Sequence, residues 1–311
     1  MAYSNFVRTY YTRFPRIGLI ISLVFLSFLF ALPRLIALGR FVTADEPLWG
    51  KRSANFYYAI SHDDFSSTYQ VGHPGVTTMW IGSAAFQFKF PQYRRVGQTS
   101  LGDTKLLQIF QKHGPSPIQF LSSARQIQAV IIIFTLLLSF IFARSLFGLW
   151  PCLLGFAFIA FDPFHIAHSR IFHTNGLVSS FMFLALLSYI SLLRNRRFLV
   201  LVVSSFATSL AILTVTQGLV ILPVIAVISI VDLWSNWRNF GAPKLKVTIK
   251  EYITPIFFWF FLFLLFFFLF WPTMWVAPFD TISKVINHTF YATIGGFNFE
   301  RSISASASCC G

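Results

Sequence analysis

The chain of 311 residues is 56% hydrophobic, with 40 Phe and only 11% charged residues, where a soluble domain carries about 25% charge. That balance excludes an ordinary soluble domain and predicts an all-α polytopic membrane protein, because several apolar runs approach the roughly 20 residues that cross a bilayer as helix. The net charge of +14 does not indicate a nucleic-acid partner, since the Lys and Arg residues lie mostly between apolar runs, where membrane topology accounts for them.

Residues 1–16, with Arg8, Arg13 and Arg16, read as a cytoplasmic N-terminus. The apolar run 17–38 follows. A signal peptide has the same charge order, but this run continues past Pro33 to Leu38 with no small-residue cleavage site, so an uncleaved span is expected. Further spans are predicted at 125–147, 150–161, 176–193, 198–213, 217–234 and 253–272, giving about seven transmembrane helices within 17–274. The fifth and sixth nearly touch, so "LTVTQ" (213–217) has to turn tightly at a membrane face. Arg34 and Asp232 lie near span ends, from which they can snorkel.

Orientation follows from the cations. With the N-terminus inside, the inner segments hold Arg8, Arg13, Arg16, Arg194, Arg196, Arg197, Arg238, Lys244, Lys246 and Lys250, while the short outer connections hold only Arg170. Asp45, Glu46, Asp63, Asp64, Asp103, Asp162, Asp280, Glu300 and all 7 histidines then face outward. Groups that move protons are concentrated on one side.

The first outer loop, 39–124, is too long to be a linker. Segments 47–60 and 74–90 place Trp, Tyr and Phe at helical spacing and read as interfacial helices. The stretch 91–118, rich in Pro, Gly and Gln, reads as mobile. Residues 275–311 form an outer tail whose end, "SISASASCCG", is low-complexity and expected to be disordered or the product of a truncated reading frame. Cys152 lies in an apolar run, and Cys309–Cys310 has neither metal nor disulfide spacing.

Four stretches carry chemistry. In "TADEP" (43–47), Thr43 and Glu46 fit a capping box. Asp45 has no evident capping duty there and suits a general base or a divalent-cation ligand. In "GHPGVTTMW" (72–80), His73 stands at a helix start, as a phosphate or carboxylate partner or simply a solvated loop residue. "FDPFHIAHSRIFHTNG" (161–176) offers His165 and His168 at a spacing only weakly suited to metal. Its Arg170 could grip a phosphate or pair with Asp162. "WPTMWVAP" (271–278) suits an aromatic belt.

With these residues in view, the sequence resembles the GT-C superfamily of membrane glycosyltransferases. More narrowly it resembles family 39, the protein O-mannosyltransferase and aminoarabinose-transferase-like group. The likeness rests on Asp45-Glu46 after the first span, His73-Pro74-Gly75 before the second interfacial helix, "DPFHIAHSRIFHTNGL" and "WPTMWVAP", and covers about 17–290. It implies inverting transfer of a sugar from a polyprenyl-phosphate donor to an acceptor hydroxyl, on a protein or glycolipid, at the outer face of a multi-pass membrane protein (the plasma membrane in a bacterium). Asp45 and Glu46 would be catalytic, and His73, Arg170, His173 and Asn175 would contact substrate. No cofactor is certain from the resemblance; a divalent cation is compatible with it. Asn175 stands where the family pattern has an Asp, and Thr216-Gln217 where many relatives have a Lys. The competing expectation is a truncated, inactive relative that binds a lipid carrier or a membrane partner.

Overall fold

A computed structural model describes residues 16–100, 102–240 and 245–291, which are helices and connections with no strand among them. Arg8, Arg13, Lys244, Glu300 and the tail with Cys309 and Cys310 lie outside the described residues, as do the side chains of Arg16, Asp103, Arg238, Lys246 and Lys250. Helix α1 covers Arg16–Leu35, α2 Glu46–Ser61 and α3 Val76–Lys89, with a 3-10 turn at Phe65–Thr68. Short α4 (Tyr93–Val96) and α5 (Asp103–His113) precede the long α6 (Pro117–Phe147). Then come α7 (Leu149–Phe161), α8 (Pro163–Arg170), α9 (Thr174–Asn195) and α10 (Phe198–Thr214). The last are α11 (Ile221–Phe240), α12 (Leu245–Phe270), α13 (Thr273–Val276) and α14 (278–291).

All seven predicted apolar runs are helical, and the protein is an all-α polytopic membrane protein. Ile17–Leu35, Pro117–Phe147, Thr174–Asn195 and Thr216–Ser235 are long and apolar enough to cross a membrane; α7 and α8, bent by 60°, make a fifth span if taken together. Phe198–Thr214 and Thr254–Phe270 are shorter apolar helices. The Ile20, Val24 and Phe28 side of α1 is exposed, as a lipid-facing stripe must be.

Local chemistry sets the boundaries. α6 opens on Pro117 after an extended Ser116 and closes at Gly148, whose φ of 89° an L side chain resists. α8 opens on Pro163, with the Asp162 carboxylate accepting the Phe164 and His165 N–H groups at 3.1 and 3.3 Å. That cap sits at the bend between α7 and α8. The turn expected in "LTVTQ" is an extended Val215 followed by a 3-10 turn at Thr216–Val220.

Small and hydroxyl side chains hold the spans together. Ser204, Ala207 and Ala211 of α10 are fully buried, and α10 packs on both α9 and α12. Trp259 Nε1 donates to Ser204 Oγ at 3.0 Å, and Ser209 Oγ to the Phe263 carbonyl at 2.7 Å. With lipid as apolar as Leu, close approach and such bonds replace the hydrophobic drive between helices.

Two expectations need correction. The stretch 91–118 is not a featureless mobile loop: it holds α4 and α5, and Leu106 and Phe110 of α5 are buried, Phe110 within 6.0 Å of the Phe86, Phe90 and Phe120 rings. Arg34 does not snorkel. It is fully buried, and its two terminal nitrogens donate to the Ala160 and Ile159 carbonyls at 3.1 Å, with His165 Nδ1 at 3.0 Å, so the end of α7 engages them internally while Nε has no partner.

Candidate active site

The site is built on a buried clamp. Glu46, at the first position of α2, is 1% exposed and receives five hydrogen bonds. Arg125 of α6 meets it side-on, Nε to Oε1 at 2.7 Å and Nη2 to Oε2 at 2.5 Å. The Thr43 N–H and hydroxyl donate at 2.8 and 2.9 Å, and the Phe172 N–H donates at 2.7 Å. Arg125 also donates to the Leu38 and Phe41 carbonyls. Burial opposes ionisation of Glu46, but the bonds from Arg125, Thr43 and Phe172 outweigh it and hold the carboxyl below its usual value. Four stretches of chain thereby meet at one ion pair: the connection after α1, the start of α2, the body of α6 and the α8–α9 joint.

Asp45, one residue earlier, has a different environment. Its side chain makes no cap hydrogen bond and is 69% exposed, with His173 Nε2 3.7 Å from Oδ2. His173 is the N-cap of α9, where its Nδ1 accepts the Asn175 N–H at 3.3 Å. An accepting Nδ1 leaves the ring proton on Nε2, directed at Asp45.

Trp49, one turn along α2 and 2% exposed, is the hub. His173 lies edge-on at 6.1 Å, His73 at 5.7 Å, and the Arg52 guanidinium stands 4.7 Å above the indole. Gly75 permits this: its φ is 62°, and a Cβ there would fall 2.6 Å from Trp49. The Gly75 N–H donates to the Thr214 carbonyl at 3.2 Å, and the Thr77 and Thr214 hydroxyls are 2.7 Å apart, fixing this turn to the end of α10. His288 of α14 closes the group, 6.5 Å from His73 and packed on Gly72, where a Cβ would meet its ring at 2.0 Å. Burial, then the charge of Arg52, pushes His73 down to about 4, so its imidazole is neutral at ordinary pH.

Of the sequence candidates, Asp45, Glu46, His73, His173 and the start of α9 with exposed Asn175 are brought together. Arg170 is committed elsewhere: Nη1 donates to the Pro33 carbonyl at 3.1 Å and Nη2 to the Ile36 carbonyl at 2.7 Å, capping the end of α1. The alternative pairing with Asp162 is not formed either, since that carboxylate caps α8. His165 is held by Arg34 and Ser169, and His168 packs on Phe164. Among the described residues no three His, Cys, Asp or Glu side chains are grouped to hold a metal. Arg125, Trp49, Arg52 and His288 were not foreseen. Only Arg125 left a sequence signal, a cation opening an apolar span.

Beside this group lies an apolar cavity of about 430 Å³, lined by Val76, Thr77 and Trp80 of α3, Phe134 of α6, Leu210 of α10 and Phe270 of α12, among others. Its first lining residue directly follows Gly75. The family model described as dolichyl-phosphate-mannose-protein mannosyltransferase matches residues 99–286. No curated protein and no solved structure matches the chain. The matched range takes in Arg125, Arg170, His173 and Asn175; Asp45, Glu46 and His73 precede it, and His288 follows it.

Proposed function

The chain belongs to the dolichyl-phosphate-mannose-protein mannosyltransferase family, and from that premise we propose that it moves a sugar from a polyprenyl-phosphate donor to an acceptor hydroxyl, on a protein or glycolipid, at the outer membrane face. The N-terminus is then cytoplasmic and residues 17–274 form the membrane unit, with the 39–124 loop over the outer surface. The cation bias of the inner loops supports this orientation.

Asp45 is the base. The acceptor O–H gives its proton to the Asp45 carboxylate while its oxygen attacks the anomeric carbon from the face opposite the phosphate. The bond from that carbon to the phosphate oxygen breaks, its electron pair leaves with polyprenyl phosphate, and configuration inverts. Positive charge grows at the sugar as in glycoside hydrolysis. The donor phosphate has one negative charge as a diester and gains a second as it leaves, so donors placed around it stabilise the transition state.

Glu46 has no acceptor capacity to spare. It serves as a positioning residue, holding Asp45 at the end of a rigid element instead of a loose loop. His173 directs its Nε2 proton to Asp45 and keeps that carboxylate aimed. Arg170 and Asn175 act one step back, through the α8–α9 joint that carries His173. The apolar cavity beyond Gly75 takes the first isoprenoid units of the donor, with the phosphate at the His73 end.

The single observation that carries the reading is the contrast between adjacent carboxylates: one sealed by five hydrogen bonds, the next left exposed beside a proton-bearing imidazole. Asp45→Asn is expected to lower single-turnover transfer by about 10²–10⁴-fold, the usual worth of a general base, with donor affinity unchanged. Transfer at the wild-type rate by this variant would remove Asp45 from the mechanism.

A further inference from the structure

Arg34, Arg125 and Arg170 are each occupied by backbone carbonyls or by Glu46. Arg52 is not. It is half-buried, and among the described residues it makes no hydrogen bond and no ion pair; its contact is the face of Trp49. A guanidinium stacked on an aromatic ring is held in place with its edge free, the form suited to gripping a phosphate with two parallel N–H groups. The same indole carries the imidazole of His73 at 5.7 Å, and a second imidazole stands beyond that one. His73 has a buried Nδ1 with no partner, and exposed His288 stands 6.5 Å from His73 on the other side of the Gly72 turn. A neutral imidazole can donate one hydrogen bond without adding charge. The carboxylate whose charge reaches Arg52 is Asp45, which forms no ion pair with it and stands 3.7 Å from His173 Nε2.

We propose that Arg52, set on Trp49 with His73 and with His288 beyond that ring, is the grip for the phosphate of the lipid-linked donor. The three groups come from α2, the turn before α3 and α14, so the grip is complete only when α14 folds back over the first loop. Asp45 immediately precedes α2, and Arg52 lies on it about two turns further along. One helix thus carries the base for the acceptor and the cation for the leaving group, and Trp49 between them sets their separation.

This inference rests on the donor reading above, and its test separates the two. The full chain in lipid nanodiscs is titrated with a short-chain polyprenyl phosphate and with the matching polyprenol, which lacks the phosphate. Wild type is expected to prefer the phosphate. Arg52→Gln is expected to weaken phosphate binding by about 10- to 100-fold, the loss of charge-assisted hydrogen bonds, and to leave polyprenol binding unchanged. Arg52→Met, which retains an aliphatic stem over Trp49, guards against a folding artefact and should show the same loss. Arg95→Gln, at an exposed cation away from the group, should bind as wild type does. His288→Gln should lose affinity by a smaller factor. If wild type does not distinguish the two lipids, the donor reading falls and this inference with it. If wild type distinguishes them and either folded Arg52 variant still does so to the same degree, the donor reading survives and Arg52 is not the grip.

Discussion

His73 shows how burial shapes function at a single residue. Its imidazole is pushed down to about 4 from the ordinary 6.5, by burial first and by the Arg52 charge second. The folded state therefore binds fewer protons than the unfolded state between those values. The stability this neutral ring contributes is fully present above about pH 6.5 and is lost as pH falls toward 4. Thermal unfolding of the purified protein should accordingly weaken on acidification across that window. His73→Gln should reduce the dependence without removing it, since burial also depresses other histidines, His173 among them. An identical pH profile in the variant would mean that the ring is not buried as described. Residues of this kind were partly legible in the sequence. Asp45, His73 and His173 stood out because acids and histidines are scarce in so apolar a chain. Arg52 did not, because nothing in "KRSANF" says that a cation there lies on an indole. Arg170 misled for the converse reason: an isolated cation in an outer loop looks free until the carbonyls at the end of α1 are placed beside it.

Between elements, the Glu46–Arg125 pair holds α2 against α6 and the α8–α9 joint. Removing one partner leaves a buried charge uncompensated. Glu46→Gln, nearly isosteric, is expected to cost about 3–5 kcal/mol of stability, read as a lowered unfolding midpoint in detergent. Exposed Asp45→Asn should change it by less than about 0.5 kcal/mol. Equal stability of the two variants would show that the clamp does not hold the loop. Helices themselves were the easiest part to read. Lipid offers the backbone no hydrogen-bond partner, so every long apolar run had to become a helix. The loop helices 47–60 and 74–90 were legible from aromatic spacing. α5 was missed because Gly and Pro on either side of "DTKLLQIFQKH" drew attention from its own pattern, in which Leu106 and Phe110 fall one turn apart on a buried face. Pairings across the molecule, such as Glu46 with Arg125 or His288 with Gly72, have no trace in one sequence.

At the scale of the whole molecule, stretches far apart in the chain close around Trp49: the start of α2, the turn before α3, the α8–α9 joint and α14. In the proposed reading, the anionic headgroup of a polyprenyl-phosphate donor belongs at the cluster around Arg52 and its apolar tail in the cavity beyond Gly75. The most direct measurement of that convergence is photocrosslinking with a polyprenyl phosphate that carries a diazirine next to the phosphate, followed by mapping of the labelled peptides. Adducts are expected on the 45–52, 72–76 and 278–291 segments together, and all should fade with excess unlabelled lipid phosphate. Competable labelling confined to the 194–197 connection at the other end of the spans, or absent from the first loop, would contradict a single site built there.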